Sequence, residues 1–168
     1  LSTPSKERTS QLNSGAEIVM IFDTDAKSIA DNEGFNNYSK FLYDEIIKEF
    51  PKKIGYYSKS PFDNSFFLED LSNSSCYLAG LGIDHNLPLS HWFKKINNGF
   101  IQGNFNQESM VKKHDEFKKD FEKYIEQIIN LNEKEKAGWV CGLGHGVLKE
   151  TPEENVRYFI EEIRKIFS

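Results

Sequence analysis

The chain has 168 residues and a net charge of −5, from 21 Lys plus Arg against 26 Asp plus Glu. Its 38% apolar content includes 14 Phe and 7 Tyr, enough for one core, but no stretch nears the ~18 consecutive apolar residues of a membrane span. The acidic balance argues against a nucleic-acid partner, whose affinity rests on neutralising phosphate, and the length falls short of the ~250 residues of a complete (β/α)8 barrel.

Lys6 to Leu12 is compatible with a short helix, and Gly15 suits its C-cap. The unbroken apolar run Ile18 to Phe22 predicts a strand buried on both faces, as in parallel sheets. An amphipathic helix is predicted from Phe35 to Phe50, with Phe35, Tyr38, Phe41, Leu42, Ile46, Ile47 and Phe50 on its apolar stripe and Pro51 as its stop. Strand Lys53–Tyr57 and helix Asn64–Leu71 follow, then strand Cys76–Leu81 running into Gly82. Pro88 to Ile96 reads as a helix with Pro at its start. Gly99 to Gly103 reads as the fourth strand. A long helix is expected over Gln107–Asn130, its stripe running from Met110 and Val111 through His114 and Phe117 to Ile128 and Ile129. Trp139 to Leu143 is the fifth strand. The last helix opens on Thr151-Pro152-Glu153-Glu154, a capping-box pattern, and directs Val156, Phe159, Ile160, Ile163 and Ile166 inward.

The order is an alternation of β and α in units of about 30 residues, the mark of parallel strands joined by right-handed crossovers. With no linker or break in composition, residues 1–168 read as a single domain. Two α/β architectures fit: an open doubly wound sheet, or five βα units of a TIM-type barrel. Both place chemistry at the C-terminal ends of the strands.

Those ends carry Phe22-Asp23-Thr24-Asp25, Tyr57-Ser58-Lys59, Gly82-Ile83-Asp84-His85, Gln102-Gly103-Asn104 and Gly142-Leu143-Gly144-His145-Gly146. Taken singly, each is equally ordinary turn and cap chemistry. The last resembles a phosphate-binding glycine turn, but the third Gly of that spacing is Val147 and no helix starts at once, so a nucleotide is not expected. No CxxC, HxH or HExxH spacing occurs, so no metal is expected. Cys76 and Cys141 read as small buried residues and are too few for a disulfide framework, which implies a reducing, cytoplasmic setting. His91 and His114 read as structural. Arg occurs only at positions 8, 157 and 164, so no strand end carries a bidentate anion clamp. The chain begins at Leu1 with neither an initiator Met nor an apolar leader, as a processed chain or a piece of a longer one would.

Together these strand ends resemble the C-terminal part of the uroporphyrinogen decarboxylase family. Gly142-Leu143-Gly144-His145-Gly146-Val147-Leu148, followed by Glu150-Thr151-Pro152-Glu153-Glu154-Asn155-Val156, is similar to its final N-L-G-H-G-I-L turn and P-E-T-P-P-E-N-V helix start. Gly15-Ala16 with Phe22-Asp23-Thr24 resembles its G-A…F-[DE]-[ST] strand, and Gln102-Gly103-Asn104 its Q-G-N strand end. Gly80-Leu81-Gly82-Ile83-Asp84 is like its V-G-L-D, and Ser58-Lys59 like its A-K. The pieces run in the family's order from about Gly15 to the end.

The resemblance implies that the chain is the last five βα units, strands four to eight, of a (β/α)8 barrel with a cleft at the strand ends. It implies removal of CO2 from the four acetate arms of uroporphyrinogen, giving coproporphyrinogen, with no metal or organic cofactor, in a homodimer. Thr24 would hydrogen-bond a substrate carboxylate, His145 would bind one as an imidazolium, and Phe22 would line the apolar wall; Asp23 and Gln102 would support them from behind. No residue here is expected to be catalytic by itself, because the family's Arg cluster, its central Asp and a substrate-contacting Tyr belong to the first three strands. The 168-residue chain alone is therefore expected to be inactive. Two alternatives remain open. A zinc methyltransferase of the same superfamily could use Cys141 as a late ligand, although the loop after Tyr57 lacks that group's H-x-C. A non-catalytic tetrapyrrole-binding or interaction module would keep only part of a cleft.

Overall fold

The computed structural model describes residues 10–59 and 64–167, apart from the side chains at 90 and 91. Most of the Lys6–Leu12 helix and the side chain of His91 therefore lie outside the described residues; residues 10–13 are helical. Five parallel strands form one sheet in the order β1-β2-β3-β4-β5: β1 Val19–Asp23, β2 Ile54–Ser58, β3 Gly80–Gly82, β4 Phe100–Gln102 and β5 Trp139–Val140. A doubly wound sheet reverses its strand order at a switch point. Here the order never reverses, so the chain is a five-unit arc of a (β/α)8-type barrel.

The helices are α1 (Asn32–Leu42, continued by a π-turn over Tyr43–Ile47), α2 (Ser65–Ser72), α3 (Leu89–Phe93), α4 (His114–Ile129), α5 (Glu133–Ala137) and α6 (Glu153–Phe167). They cover one face of the sheet. Val19, Ile54, Tyr56, Leu81 and Ile101 point into that layer and belong to a core shared with Phe67, Leu71, Phe117, Phe121 and Phe159. The alternate residues face the concave side. There Met20 and Phe100 lie across Gly55 and Gly80, where an added Cβ would collide with their side chains. Among the described residues no helix is long and apolar enough to cross a membrane.

Several boundaries differ from the sequence expectation for local reasons. The helix expected from Phe35 begins at Asn32, because the Asp31 carboxylate caps it by accepting from Gly34 N at 2.7 Å. Residues 76–79 precede β3 instead of forming it. The Asp70 carboxylate takes the N–H groups of Tyr77 and Leu78 (3.1 and 2.8 Å), and they are lost to a ladder. The long helix is broken: a 3-10 turn, Ser109–Val111, precedes α4. Buried Asn155 of α6 fills the break. Its amide donates to the carbonyls of Met110 and Lys112 (both 2.9 Å), and its Oδ1 lies 2.7 Å from His114 Nδ1, which gives His114 the structural role expected of it.

The capping box read at Thr151 does not form, since Thr151 Oγ1 is buried without a hydrogen bond and α6 starts at Glu153. A capping box does form at Asn132 and Glu135, where none was foreseen. Strand β5 stops at Val140, and only one bridge, Phe105 to Leu143, continues it. Phe41, Val111, Ile129, Ile160 and Ile166 are exposed, not part of the buried stripes. Both cysteines are free. Cys76 is buried and Cys141 half-buried, each just outside a strand.

Asp70 also accepts from Tyr43 Oη at 2.5 Å. Asp70→Ala would leave the two N–H groups and the phenol unpaired, and urea unfolding should show a loss of about 2–3 kcal/mol.

Candidate active site

Register brings the site together. Phe22 pairs with Tyr57, Tyr57 with Gly82, Gly82 with Gln102 and Gln102 with Val140, forming one row across the C-terminal edge of the sheet. Above that row lies a cleft of about 570 Å3, whose lining includes Phe22, Thr24, Tyr57, Lys59, Gln102 and His145. Four of the five residues singled out in the sequence therefore share one cleft. Phe22 is 64% exposed, its ring tilted against Tyr57.

The fifth, Asp23, points the other way. Strand alternation sends it behind the sheet, where it accepts from Tyr38 Oη (2.6 Å), Tyr56 Oη (3.2 Å) and Ala26 N (3.0 Å). These bonds fix the turn that leads to Thr24. The Thr24 hydroxyl makes no cap bond to the turn that follows it.

His145 is held at both ring nitrogens. Nε2 lies 2.6 Å from Asp84 Oδ2, and Nδ1 lies 2.7 Å from Tyr57 Oη, which is also 2.9 Å from the Gly144 carbonyl. Burial and the Asp84 carboxylate push the Tyr57 phenol up, so its proton stays on. That single proton has two acceptors. It goes to Nδ1 when His145 is neutral with Nε2–H toward Asp84. It goes to Gly144 when Nδ1 carries its own proton and donates to Tyr57.

Burial pulls the His145 pKa below its ordinary value of 6.5, with Lys59 and His85 acting in the same direction; Asp84 opposes but does not prevail. The imidazolium with both donors free is thus not the form this geometry presents.

Asp84 is aimed by its neighbours. Asn86 donates to Oδ1 from its backbone N (2.8 Å) and its Nδ2 (2.6 Å). Asn104 Nδ2 donates to the carbonyls of Asp84 (2.8 Å) and Leu87 (2.5 Å), which gives the Q-G-N strand end its task of holding this loop. His85 Nδ1 sits 3.4 Å from Asp84 Oδ1. The last turn approaches so closely that a Cβ on Gly144 would lie 2.5 Å from His85 N.

The sequence reading did not place Tyr57, Lys59, Asp84, His85 or Gln107 in the site. Asp84 and Lys59 stand in matched strand-end motifs, which was a usable signal. Tyr57 stands at a strand end beside Ser58-Lys59 but was given no role, and Gln107 carried no signal, although its Oε1 is buried in the cleft wall without a hydrogen bond. Cys141 joins no cluster of metal-ligating side chains among the described residues, and burial pushes its thiol up to about 12, far from a thiolate ligand.

A family profile described as "Uroporphyrinogen decarboxylase (URO-D)" matches residues 8–166. The chain belongs to the uroporphyrinogen decarboxylase family. It is 28% identical over 159 residues to the uroporphyrinogen decarboxylase of Orientia tsutsugamushi, covering 94% of this chain and 45% of that protein. It is 31% identical over 163 residues to that of Prochlorococcus marinus, covering 93% and 43%. The chain therefore spans a little under half the length of these relatives. Among solved structures it is similar to a Listeria monocytogenes protein described as "Putative Vitamin-B12 Independent Methionine Synthase", with a TM-score of 0.59 and 16% identity over 98% of this chain and 52% of that one. That likeness concerns the fold alone.

Two outcomes test the site. His145 should titrate below 6.5 by NMR, and Asp84→Asn should lower it further by removing the opposing carboxylate. The stability held by the neutral ring is then complete above 6.5 and falls as pH drops through the lower folded value. Gly144→Ala should cost about 1–3 kcal/mol in thermal or urea unfolding, by forcing the turn off His85.

Proposed function

We propose that this chain supplies the C-terminal wall of a uroporphyrinogen decarboxylase cleft, for conversion of uroporphyrinogen to coproporphyrinogen by loss of the acetate carboxylates. The observation that carries the reading is the convergence of Phe22, Thr24, Gln102 and His145 on one cleft at the strand ends. The family membership supports it.

In this reading Phe22 packs against the apolar face of the macrocycle. The Thr24 hydroxyl donates to a substrate carboxylate, and the Lys59 ammonium, also in the cleft, adds charge. Gln107 Oε1, unpaired in the wall, is an acceptor for a substrate N–H. His145 contacts a carboxylate by giving up one of its two present partners, and Asp84 and Tyr57 position it until then. Asp23 acts through the Thr24 turn. Gln102 backs the cleft floor.

Among the described residues no Arg lines the cleft, so an octacarboxylate substrate needs further cations from elsewhere in the assembled protein, in a homodimer of full-length chains. A second reading has the same support from length and charge: a module that binds the tetrapyrrole without turning it over.

The test is anaerobic titration of the 168-residue chain with coproporphyrinogen. Binding weakened about 5–30-fold by Thr24→Ala, as expected for one lost charge-assisted bond of ~1–2 kcal/mol, supports the cleft assignment. Binding indifferent to Thr24→Ala and His145→Ala sinks it. Turnover by this chain alone would overturn the view that the anion clamps lie outside it, whereas turnover only on co-expression with the first three βα units of a relative separates the decarboxylase from the binding module.

A further inference from the structure

His145 is gripped at both ring nitrogens, and the two grips differ in kind. Nε2 donates to Asp84 Oδ2 at 2.6 Å. Asp84 does not line the cleft, and Asn86 holds its other oxygen from the backbone N and Nδ2 (2.8 and 2.6 Å). At Nδ1 the partner is Tyr57 Oη at 2.7 Å, and Tyr57 does line the cleft. The same oxygen lies 2.9 Å from the Gly144 carbonyl. We propose that Tyr57 is a positioning residue for His145: by passing its hydrogen bond from Nδ1 to Gly144, its hydroxyl lets the ring take up a proton in place and present a cation to a carboxylate in the cleft. Resting on the carboxylate-binding reading of this cleft, the device would charge its wall only when a ligand arrives.

Proton counting at the ring requires such a partner. With Nε2–H committed to a carboxylate, the neutral ring keeps its lone pair at Nδ1, so Tyr57 donates there. A proton taken up by the ring has only Nδ1 to go to. Nδ1 then becomes a donor, and the group facing it must become an acceptor. A hydroxyl serves in both states, whereas an ammonium or a guanidinium donates only. Burial and the Asp84 carboxylate push the phenol up, so it keeps its proton and needs a second acceptor for it. The Gly144 carbonyl is that acceptor. Every donor in the chain from Asp84 through His145 and Tyr57 to Gly144 is thus satisfied in both protonation states, with no heavy atom displaced.

The surroundings keep the ring poised. Burial disfavours its charge and Asp84 favours it, while Lys59 from the loop after β2 and His85 from the loop after β3 (ring centroids 5.6 Å apart) oppose it. The ring is therefore neutral at neutral pH while the cleft is empty. A carboxylate in the cleft adds an opposite charge and favours the imidazolium. Tyr57 is then the partner that can share Nδ1–H with the carboxylate, because Gly144 already takes its proton. Among the described residues the lining has Lys59 and no Arg, so a proton on His145 adds a second cation to it.

The first measurement uses the chain without ligand. With carbon-labelled tyrosine, the Tyr57 Cζ resonance should move with the same midpoint as the His145 ring, which should be the Nε2–H form above that midpoint. Tyr57→Phe should keep the fold by circular dichroism and make His145 titrate lower than in the parent chain, because the bond it removes is stronger to the imidazolium than to the neutral ring. A Tyr57 resonance blind to the midpoint, or a His145 that titrates at the same pH or higher in Tyr57→Phe, overturns the proposal. The second measurement is anaerobic calorimetry of coproporphyrinogen binding near neutral pH, in buffers of different ionisation enthalpy. Binding should take up a proton, tighten as pH falls toward the midpoint of the ligand-free ring, and lose the uptake in His145→Gln. Binding without uptake, or uptake that survives His145→Gln, overturns the proposal and leaves the cleft assignment standing. No binding at all sinks the cleft assignment, and the ligand-free titration still decides the part played by the hydroxyl.

Discussion

The row running from Phe22 through Tyr57, Gly82 and Gln102 to Val140 is the level at which the sheet hands over to its loops, and the cleft depends on it. In a strand, side chains alternate faces, so a register slip of one residue reverses all of them. With β2 slipped, Tyr56 would enter the cleft and Tyr57 would leave His145. The blank at Gly82 matters as much as the side chains beside it. A Cβ there would stand 3.0 Å from that of Tyr57, so the missing methyl is what lets the phenol lie across the row toward the last turn.

From that row the two faces of the sheet divide the labour. Behind it, Asp23 gathers two phenols from α1 and β2 and so anchors the turn that presents Thr24. In front, Asn104 ties the loop after β3 to the end of β4, and Asp84 on that loop meets His145 from the end of the chain. The Gly103 carbonyl is held by Tyr124 Oη (2.6 Å) and Trp139 Nε1 (2.8 Å), which links the same corner to α4 and β5. The polar groups of the cleft are thus positioned largely by Asp23, Asp84 and Asn104 from outside its lining, with Tyr57 holding His145 from within it.

Much of this was legible in the sequence. The five apolar runs located the five strands, but the expected burial on both faces fails for β1 and β5, where Ile18, Phe22 and Val140 are exposed because the concave face of the arc lies open. The strand-end motifs led to Phe22, Thr24, Gln102 and His145, all of which the fold brings to one cleft. Boundaries were less readable where a side chain captured backbone groups that the pattern had assigned to a ladder or helix, as Asp70 does before β3 and Asn155 does ahead of α4. The choice between an open sheet and a barrel arc lay beyond periodicity, since both share it and only strand order separates them. Tyr57 was hidden for a different reason. An aromatic at the end of a strand is ordinary core, and its role arises from residues far along the chain.

That distance has a kinetic meaning. Each strand pairs only with its sequence neighbours, so the sheet can grow by short closures, one βα unit after another. The contacts of Tyr57 with Gly144 and His145 span 87 and 88 residues, and no local contact substitutes for them. Closure across such spans costs more entropy than closure between neighbouring βα units. The sheet can therefore stand while the site is still open. In a destabilised variant, the last turn would part from β2 and the loop after β3 well before the strands unzip, and function would fail ahead of the fold.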